Sequence, residues 1–213
     1  MGKAYADYRG LRGLVAAEIT EDNGTKFTAD KWNELEGAVS CNIEGEESST
    51  PIYRDNLAVR NITTEGVDTA TVNMDVLANK VRAWLEGRSH SAKNDVYIKT
   101  PKKVKKFVFG CIGKKSDGTE EAVIMYNTTV TGGNEERNTE DNGTDVTTTE
   151  YVFSGAYTQT KFNIGTTEKP DNQPVKRLIV PLSATVTEEK LFGVFTDGIS
   201  TLAPLTPDAI CNL

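Results

Sequence analysis

Apolar and polar positions alternate with a period of two along most of the chain, the repeat that lays one face of a β-strand on a core. Val39, Cys41 and Ile43 alternate with Ser40, Asn42 and Glu44, and Val72, Met74 and Val76 with Thr71, Asn73 and Asp75. Residues 107–112 and 122–130 are apolar on both faces in places, as central strands are. Between them, Asp117-Gly118 supplies the positive φ that a hairpin turn needs. Tyr151, Phe153, Gly155 and Tyr157 line one face of another strand, and residues 178–186 form one more. Pro181 removes a ladder donor there, which predicts an edge or interrupted strand.

Two short helices break this pattern. Asn79 is the expected cap of a helix through Val81, Trp84 and Leu85, stopped by Gly87. Thr187 is the expected cap of a helix from Glu188 to Phe195, with acids in the first turn where the helix dipole favours them. The fold class expected is mainly β: two packed antiparallel sheets, a β-sandwich or rolled barrel, with one or two short flanking α-helices. Residues 1–196 form the β domain and residues 197–213, with Pro204 and Pro207, a C-terminal extension.

Three connections stand out. Residues 44–56 are polar and acidic around Glu46, Glu47, Ser48, Ser49 and Thr50, yet hold Pro51, Ile52 and Tyr53 with nothing local to bury against. They are longer than hairpin closure demands, and the strand pattern resumes near Leu57. Two expectations compete. Either Ile52 and Tyr53 begin the next strand and face this subunit's core, or the segment is a mobile loop that reaches another subunit, with Arg54 and Asp55 pairing at its rim. Residues 132–149 are long, acidic and rich in Asn, Thr and Gly, and residues 170–174 are a short break.

Composition narrows the function classes. Thr occurs 27 times and Val 18 against Leu 12, a β-branched bias that disfavours a helical bundle. With 24 basic and 31 acidic side chains the net charge is −7, which disfavours a general nucleic-acid binder. No apolar run approaches the roughly 20 residues of a membrane span, and residues 1–9 lack a signal-peptide core, so a soluble, unsecreted protein is expected. Cys41, Cys111 and Cys211 are widely spaced; reduced thiols are expected rather than a disulfide framework or zinc site.

Motifs for chemistry are poor. His90, the one histidine, lies in a polar stretch and reads as a solvated loop residue rather than a general base. Gly113-Lys114-Lys115-Ser116 lacks the P-loop glycine, with Val108 in its place. Asn138 to Asn142 imitates a calcium loop, but Glu150 falls one residue late for the bidentate ligand, and Glu135, Glu136, Glu140 and Asp141 are expected not to bind metal. No enzyme activity, cofactor or metal is expected.

Several segments, taken in order, resemble the major tail (tail tube) proteins of long-tailed bacteriophages. Gly10-Leu11-Arg12-Gly13-Leu14-Val15 with Ile19 and the Asn23-Gly24 turn resembles the opening strand. Residues 37–56 resemble the second strand and its acidic connection, and residues 66–87 the strand and short helix that follow. Phe107 to Phe109, the Asp117-Gly118 turn and Tyr126-Asn127-Thr128-Thr129 resemble the late hairpin, and residues 147–157 the next strand. The resemblance covers roughly residues 10–196 and departs from the pattern in the length of residues 132–149 and in the C-terminal extension.

The resemblance implies a structural virion protein that closes into hexameric rings and stacks them into a tube conducting DNA into the host. Its partners would be copies of itself and other tail proteins (tape measure, tail terminator, baseplate hub). DNA would pass without specific binding, no membrane would be involved, and the protein would reside in the virion tail, or in host cytoplasm during assembly. Its assembly segment would comprise Glu46, Glu47, Ser48, Thr50, Pro51, Ile52, Tyr53, Arg54 and Asp55.

Seven lysines and no acid lie between residues 99 and 115, whereas residues 18–47 hold nine acids and two lysines. Lys102, Lys103, Lys105 and Lys106 are therefore candidates for facing acidic segments of another subunit, against the plainer reading of a solvated strand edge. Two other functions remain open: a carbohydrate-binding β-sandwich module, with Trp32, Trp84 and the seven tyrosines as candidates for an aromatic platform, and the tube protein of a related secretion apparatus.

Overall fold

The computed structural model describes residues 8–54, 57–75, 77–134, 148–166 and 168–213. In chain order the first strands are β1 (Tyr8–Asp22), β2 (Phe27–Ala29), β3 (Asn33–Glu34), β4 (Ala38–Arg54) and β5 (Leu57–Met74). Helix α1 (Asn79–Glu86) leads into β6 (Ser89–Ser91), β7 (Val96–Ile98), β8 (Lys106–Lys115), β9 (Glu120–Asn134) and β10 (Thr149–Gly155). There follow β11 (Lys161–Asn163), β12 (Asn172–Pro174), β13 (Arg177–Pro181), α2 (Glu188–Phe192), β14 (Phe195–Thr196), β15 (Ile199–Ser200) and α3 (Pro207–Cys211). The chain is thus mainly β and antiparallel with short helices, the expected class.

One large sheet dominates, in the order β14-β15-β3-β1-β8-β9-β10-β5-β4, with β2 added to β1 and β13 to β9. Its inward residues show that it rolls. Leu14 and Ala16 of β1, Phe107, Phe109 and Cys111 of β8, Met125 and Val130 of β9, Tyr151 and Phe153 of β10, and Ala70, Val72 and Met74 of β5 share one buried cluster. Cys41 and Ile43 of β4 pack on the same cluster. A flat sheet could not bring the side chains of its terminal strand β4 onto those of β1 and β8, so the six strands wrap one core. Phe109 lies against Phe153 with ring centroids 4.5 Å apart.

A second core covers the outer face of the same central strands. Val15 and Ala17, Val108 and Ile112, and Ala122, Ile124 and Tyr126 alternate with the inward set and meet Phe27, Trp32, Phe162, Leu191, Phe192 and Ile210. Burial on both faces explains why residues 107–112 carry no polar alternation. Residues 197–213 belong to this outer core. They supply β15 and α3, Tyr126 donates to the Leu205 carbonyl at 2.8 Å, and Ile210 is buried, so the segment read as an extension packs into the domain.

Local expectations meet mixed outcomes. Gly87 ends α1 in the left-handed region (φ 65), and a Cβ there would sit 2.0 Å from the Lys103 carbonyl oxygen, so both turn and packing require glycine. The cap itself is Ala78, with Asn79 the first helical residue and its side chain donating to the Asp95 carbonyl. Thr187 caps α2 through Lys190 N–H as expected, but the helix stops at Phe192 because Gly193 follows, and Phe195 enters β14. Val39 is 61% exposed: a bulge between Ala38 and Ser40 rotates it outward while Cys41 and Ile43 stay inward. Tyr157 lies beyond β10 and is exposed. Pro181 ends β13, which among the described residues pairs only with β9, as an edge strand should. Val76 lies outside the described residues.

Asn127 holds a position that the sequence pattern did not explain. Its φ of 53 bends β9 where the strand changes neighbours, from β13 at residues 121–125 to β10 at residues 128–134. Asparagine tolerates this backbone, and its side chain locks the bend by donating to the Tyr157 carbonyl at 2.7 Å.

Candidate functional site

The segment expected to be a loop is a strand. β4 runs unbroken through Glu46, Glu47, Ser48, Thr50, Pro51, Ile52, Tyr53 and Arg54 and pairs with β5 from Glu47↔Glu65 to Arg54↔Leu57. Both competing expectations fail on this conformation. Ile52 and Tyr53 do not begin the next strand or enter the core, and they are not in an irregular loop. Asp55 lies outside the described residues. The physical reason is visible once the partner is known: Thr50 and Ile52 oppose Ile62 and Arg60, so the two polar stretches supply each other's ladder.

The outer halves of β4 and β5 form an arm. From Glu47 to Arg54 it extends roughly 27 Å at about 3.4 Å per residue. Only Ile52 is half-buried; the other described side chains from Glu46 to Arg54 and from Asn61 to Glu65 are exposed. Tyr53 is 63% and Leu57 72% exposed. β4 pairs with β5 alone, and β10 follows β5 outward only as far as Asp68, so the arm's backbone edges carry no further strand among the described residues. Directly opposed residues share a face. One face carries Thr50, Ile52, Ile62 and Arg60; the other sets Glu47 against Glu65, a like-charge pair that weakens an isolated ribbon.

The base of the arm is built more firmly. A bulge in β5 lies there, with Gly66 and Val67 together facing Glu46 between the pairs Gly45↔Asp68 and Glu47↔Glu65. Buried Asp68 accepts from Lys176 Nζ at 2.8 Å and Arg177 Nε at 3.1 Å. Lys176 also donates to the Gly66 carbonyl and lies 5.0 Å from the centre of the Tyr157 ring, while Tyr157 donates its hydroxyl to Glu65. That hydrogen bond and then burial raise the Tyr157 hydroxyl above the ordinary tyrosine value. None of Asp68, Lys176, Arg177 or Tyr157 was a sequence-based site candidate. The signal that was available lay in the β-branched residues placed on both sides of Asp55-Asn56, a mirror pattern spread too far for a short-hairpin reading.

The basic run is dispersed. Lys105 pairs with Glu18 at 2.7 Å and Lys102 donates to the Val130 carbonyl at 2.5 Å. Lys103 is exposed and Lys106 half-buried at the start of β8. Glu18 also accepts from Trp84 Nε1, so one acid of the acidic half is used within the same chain. Glu135, Glu136, Glu140 and Asp141 lie outside the described residues. Trp32 is 0% exposed and Trp84 packs edge-on against Phe107, so neither tryptophan offers a flat exposed platform.

A polar cleft of about 630 Å³ lies beside α1 and the β6–β7 hairpin. Its central acid, Glu86, accepts from Arg82 Nε at 3.0 Å, Tyr151 at 3.0 Å and Tyr97 at 2.5 Å. Burial first, then the Glu86 carboxylate, raise both tyrosine hydroxyls, which stay protonated as donors. A carboxylate so occupied is a packing hub rather than a general base. His90 is not a free loop residue: the tight β6–β7 turn, with Asp95 at φ 49, folds Asp95 back to 2.7 Å from His90 Nε2. Among the described residues no helix is long and apolar enough to cross a membrane. No protein-family model matches the chain, and no curated protein matches it.

Proposed function

We propose that this protein is a structural subunit that assembles with copies of itself through the β4–β5 arm, as the tail tube subunit of a long-tailed bacteriophage. Stacked hexameric rings would form a conduit for DNA ejection, in company with tape measure, tail terminator and baseplate hub proteins. The observation that carries the reading is the arm: a long ribbon whose faces and edges are left open by the described residues of its own domain. Two-stranded ribbons of this kind are marginal alone in water and gain from an external surface. The order of resembling segments and the acidic balance, which suits a wall that must release DNA, support the same reading. A tube of a related secretion apparatus is the same proposal at the level of physics. The carbohydrate-module reading has less support, because Trp32 is buried and Trp84 packs against Phe107, which leaves exposed tyrosines such as Tyr53 and Tyr157 for a platform.

The test removes the arm on both strands, since cutting residues 46–53 alone would leave β5 without its partner. Replacing residues 47–65 by a short Gly-Ser turn should leave a folded monomer that forms no tubes by electron microscopy, whereas the intact protein at high concentration forms rings or tubes. Long tubes from the shortened protein would overturn the role of the arm. Intact protein that stays monomeric at every concentration, with or without a tail-tip nucleus, would overturn the assembly reading. A contribution from Lys103 and Lys106 would show as assembly that weakens from low to high salt.

A further inference from the structure

The face of the arm that carries Ile52 has a chemistry of its own. Ile52 and Arg54 stand two residues apart on β4, with Arg60 and Leu57 opposite them on β5. Thr50 opposite Ile62 and Ser48 opposite Thr64 continue the same face toward the base. Three apolar side chains and two arginines are thus presented with no acid among them, on a chain of net charge −7. Arg54, Leu57 and Arg60 are exposed, and neither arginine has an ion-pair partner among the described residues.

A cleft of the opposite character lies at the other end of β4. It measures about 230 Å³ and opens between the start of α1 and the turn from β14 to β15. Leu77, Val81 and Ile199 line it, together with Glu34, Glu36 and Asp197 against a single base, Lys80. Glu36, Asp197 and Ile199 are exposed, and the three acids have no ion-pair partner among the described residues. Pockets for small-molecule ligands run from about 300 to 1,000 Å³, so this volume suits a few protein side chains better.

We propose that this cleft receives the Ile52 face of the arm from a second copy of the chain. Leu57 and its apolar neighbours would cover Leu77, Val81 and Ile199, and Arg54 and Arg60 would meet Glu34, Glu36 and Asp197. The inference rests on the assembly reading and names the surface that reading lacks. The arm cannot fill its own cleft. Glu36 lies just before β4 begins at Ala38, and Arg54 ends the same strand, roughly 55 Å away along it at about 3.4 Å per residue. Donor and acceptor are therefore different patches on one molecule. A contact of that kind is head-to-tail, and it extends from copy to copy instead of closing as a two-fold dimer.

The experiment places the photo-reactive residue p-benzoylphenylalanine at Leu57 of the full-length protein. This protein is mixed as a minor fraction into isotopically heavy intact protein, so that links between copies are told from links within one. After tube growth and illumination, peptide mass spectrometry should find residue 57 joined to residues 77–81 or 197–199 of a heavy copy. Tubes whose links fall elsewhere would overturn the cleft and leave the role of the arm standing. Intact protein that forms no tubes would overturn both readings. A charge exchange gives a second readout. Glu36→Lys should raise the concentration needed for tube growth about fivefold, and Arg60→Glu by a similar factor, with Tm unchanged. The two substitutions combined should recover most of that loss, since each altered arm then meets an altered cleft. A combined variant that assembles no better than either single one would overturn the pairing.

Discussion

β4 and β5 pass through two environments within one ladder. Their inner halves, Ala38 to Glu44 and Asp68 to Met74, place Cys41, Ile43, Ala70, Val72 and Met74 on the inner core. Their outer halves continue the ladder in a register shifted by one residue, past the β5 bulge opposite Glu46, and leave Ile62, Leu57 and Tyr53 exposed. The β4–β5 ladder runs through both halves, but β10 pairs with β5 only along the inner half, and the side-chain environment changes at the same place. Ladder hydrogen bonds largely exchange for bonds to water, whereas burial of apolar area supplies most net stability. The inner half is held by its own chain, and the outer half has surface to offer.

The comparison makes its strongest demand on the core. Phe153→Ala empties a fully buried site that touches Phe109 from the opposite wall of the roll. It should cost about 3–5 kcal/mol in chemical denaturation. A cost below about 1 kcal/mol would mean that the six strands do not share one core. Next comes the junction between the two halves. Asp68→Asn keeps the shape but removes the charge that faces Lys176 and Arg177, and should cost about 2–3 kcal/mol by the same measurement. Hydrogen exchange at residues 45–67 should rise in that variant more than exchange at residues 107–112.

The same division decides what was legible in the sequence. Alternation at Val72 and Met74, the two-sided apolar run of residues 107–112 and the Thr187 cap were readable because each depends on neighbours close in the chain. The arm was not. A strand with both faces in solvent carries no hydrophobic period, so residues 46–53 looked like a loop until β5 was placed beside them. Val39 failed for a related reason: a bulge shifts the phase of the alternation, and one extra residue has no signature of its own. At the arm's base, Asp68, Tyr157 and Lys176 are up to 108 residues apart, and only the roll of the sheet brings them together. Burial of Trp32 by Phe192 and the Leu191 carbonyl likewise depends on a distant helix.

A smaller effect tests whether surface charge matters to the domain itself. Arg12 donates to Glu120 through Nη2 at 2.5 Å and Nε at 3.2 Å, and also pairs with Glu188 at the start of α2. Its hydrogen bond holds the Glu120 carboxyl below the usual carboxylate range. Arg12→Ala should cost only about 0.5–1 kcal/mol at pH 7, since the group is exposed and screened. The sign follows from the lowered value. The stabilisation is fully present above the unfolded glutamate pKa of about 4.3 and is lost as the pH falls through the lower folded value. Wild type and variant should therefore converge in strongly acidic buffer. A gap that persists there would assign the cost to packing of the arginine stem instead.

The smallest stability effect carries the sharpest statement about the arm. Ile62 is 46% exposed on the face it shares with Thr50 and Ile52, where no side chain of the inner core reaches. In the monomer Ile62→Gln removes little buried area, and its change in unfolding free energy should stay within about 0.5 kcal/mol. In the proposed assembly the same face would be covered, and a buried glutamine without partners costs about 1–3 kcal/mol at each copy. Repeated around a ring, that penalty should raise the concentration needed for tube growth by at least about tenfold, as read by light scattering and electron microscopy. Arg54→Ala is the control on the exposed tip, where screened charge predicts a shift of only about twofold. Monomer stability that falls by 2 kcal/mol in Ile62→Gln would show the arm folded back on its own domain. Unchanged tube growth would place the contact on the other face, the one that carries Glu47, Ser49 and Pro51 opposite Glu65, Thr63 and Asn61.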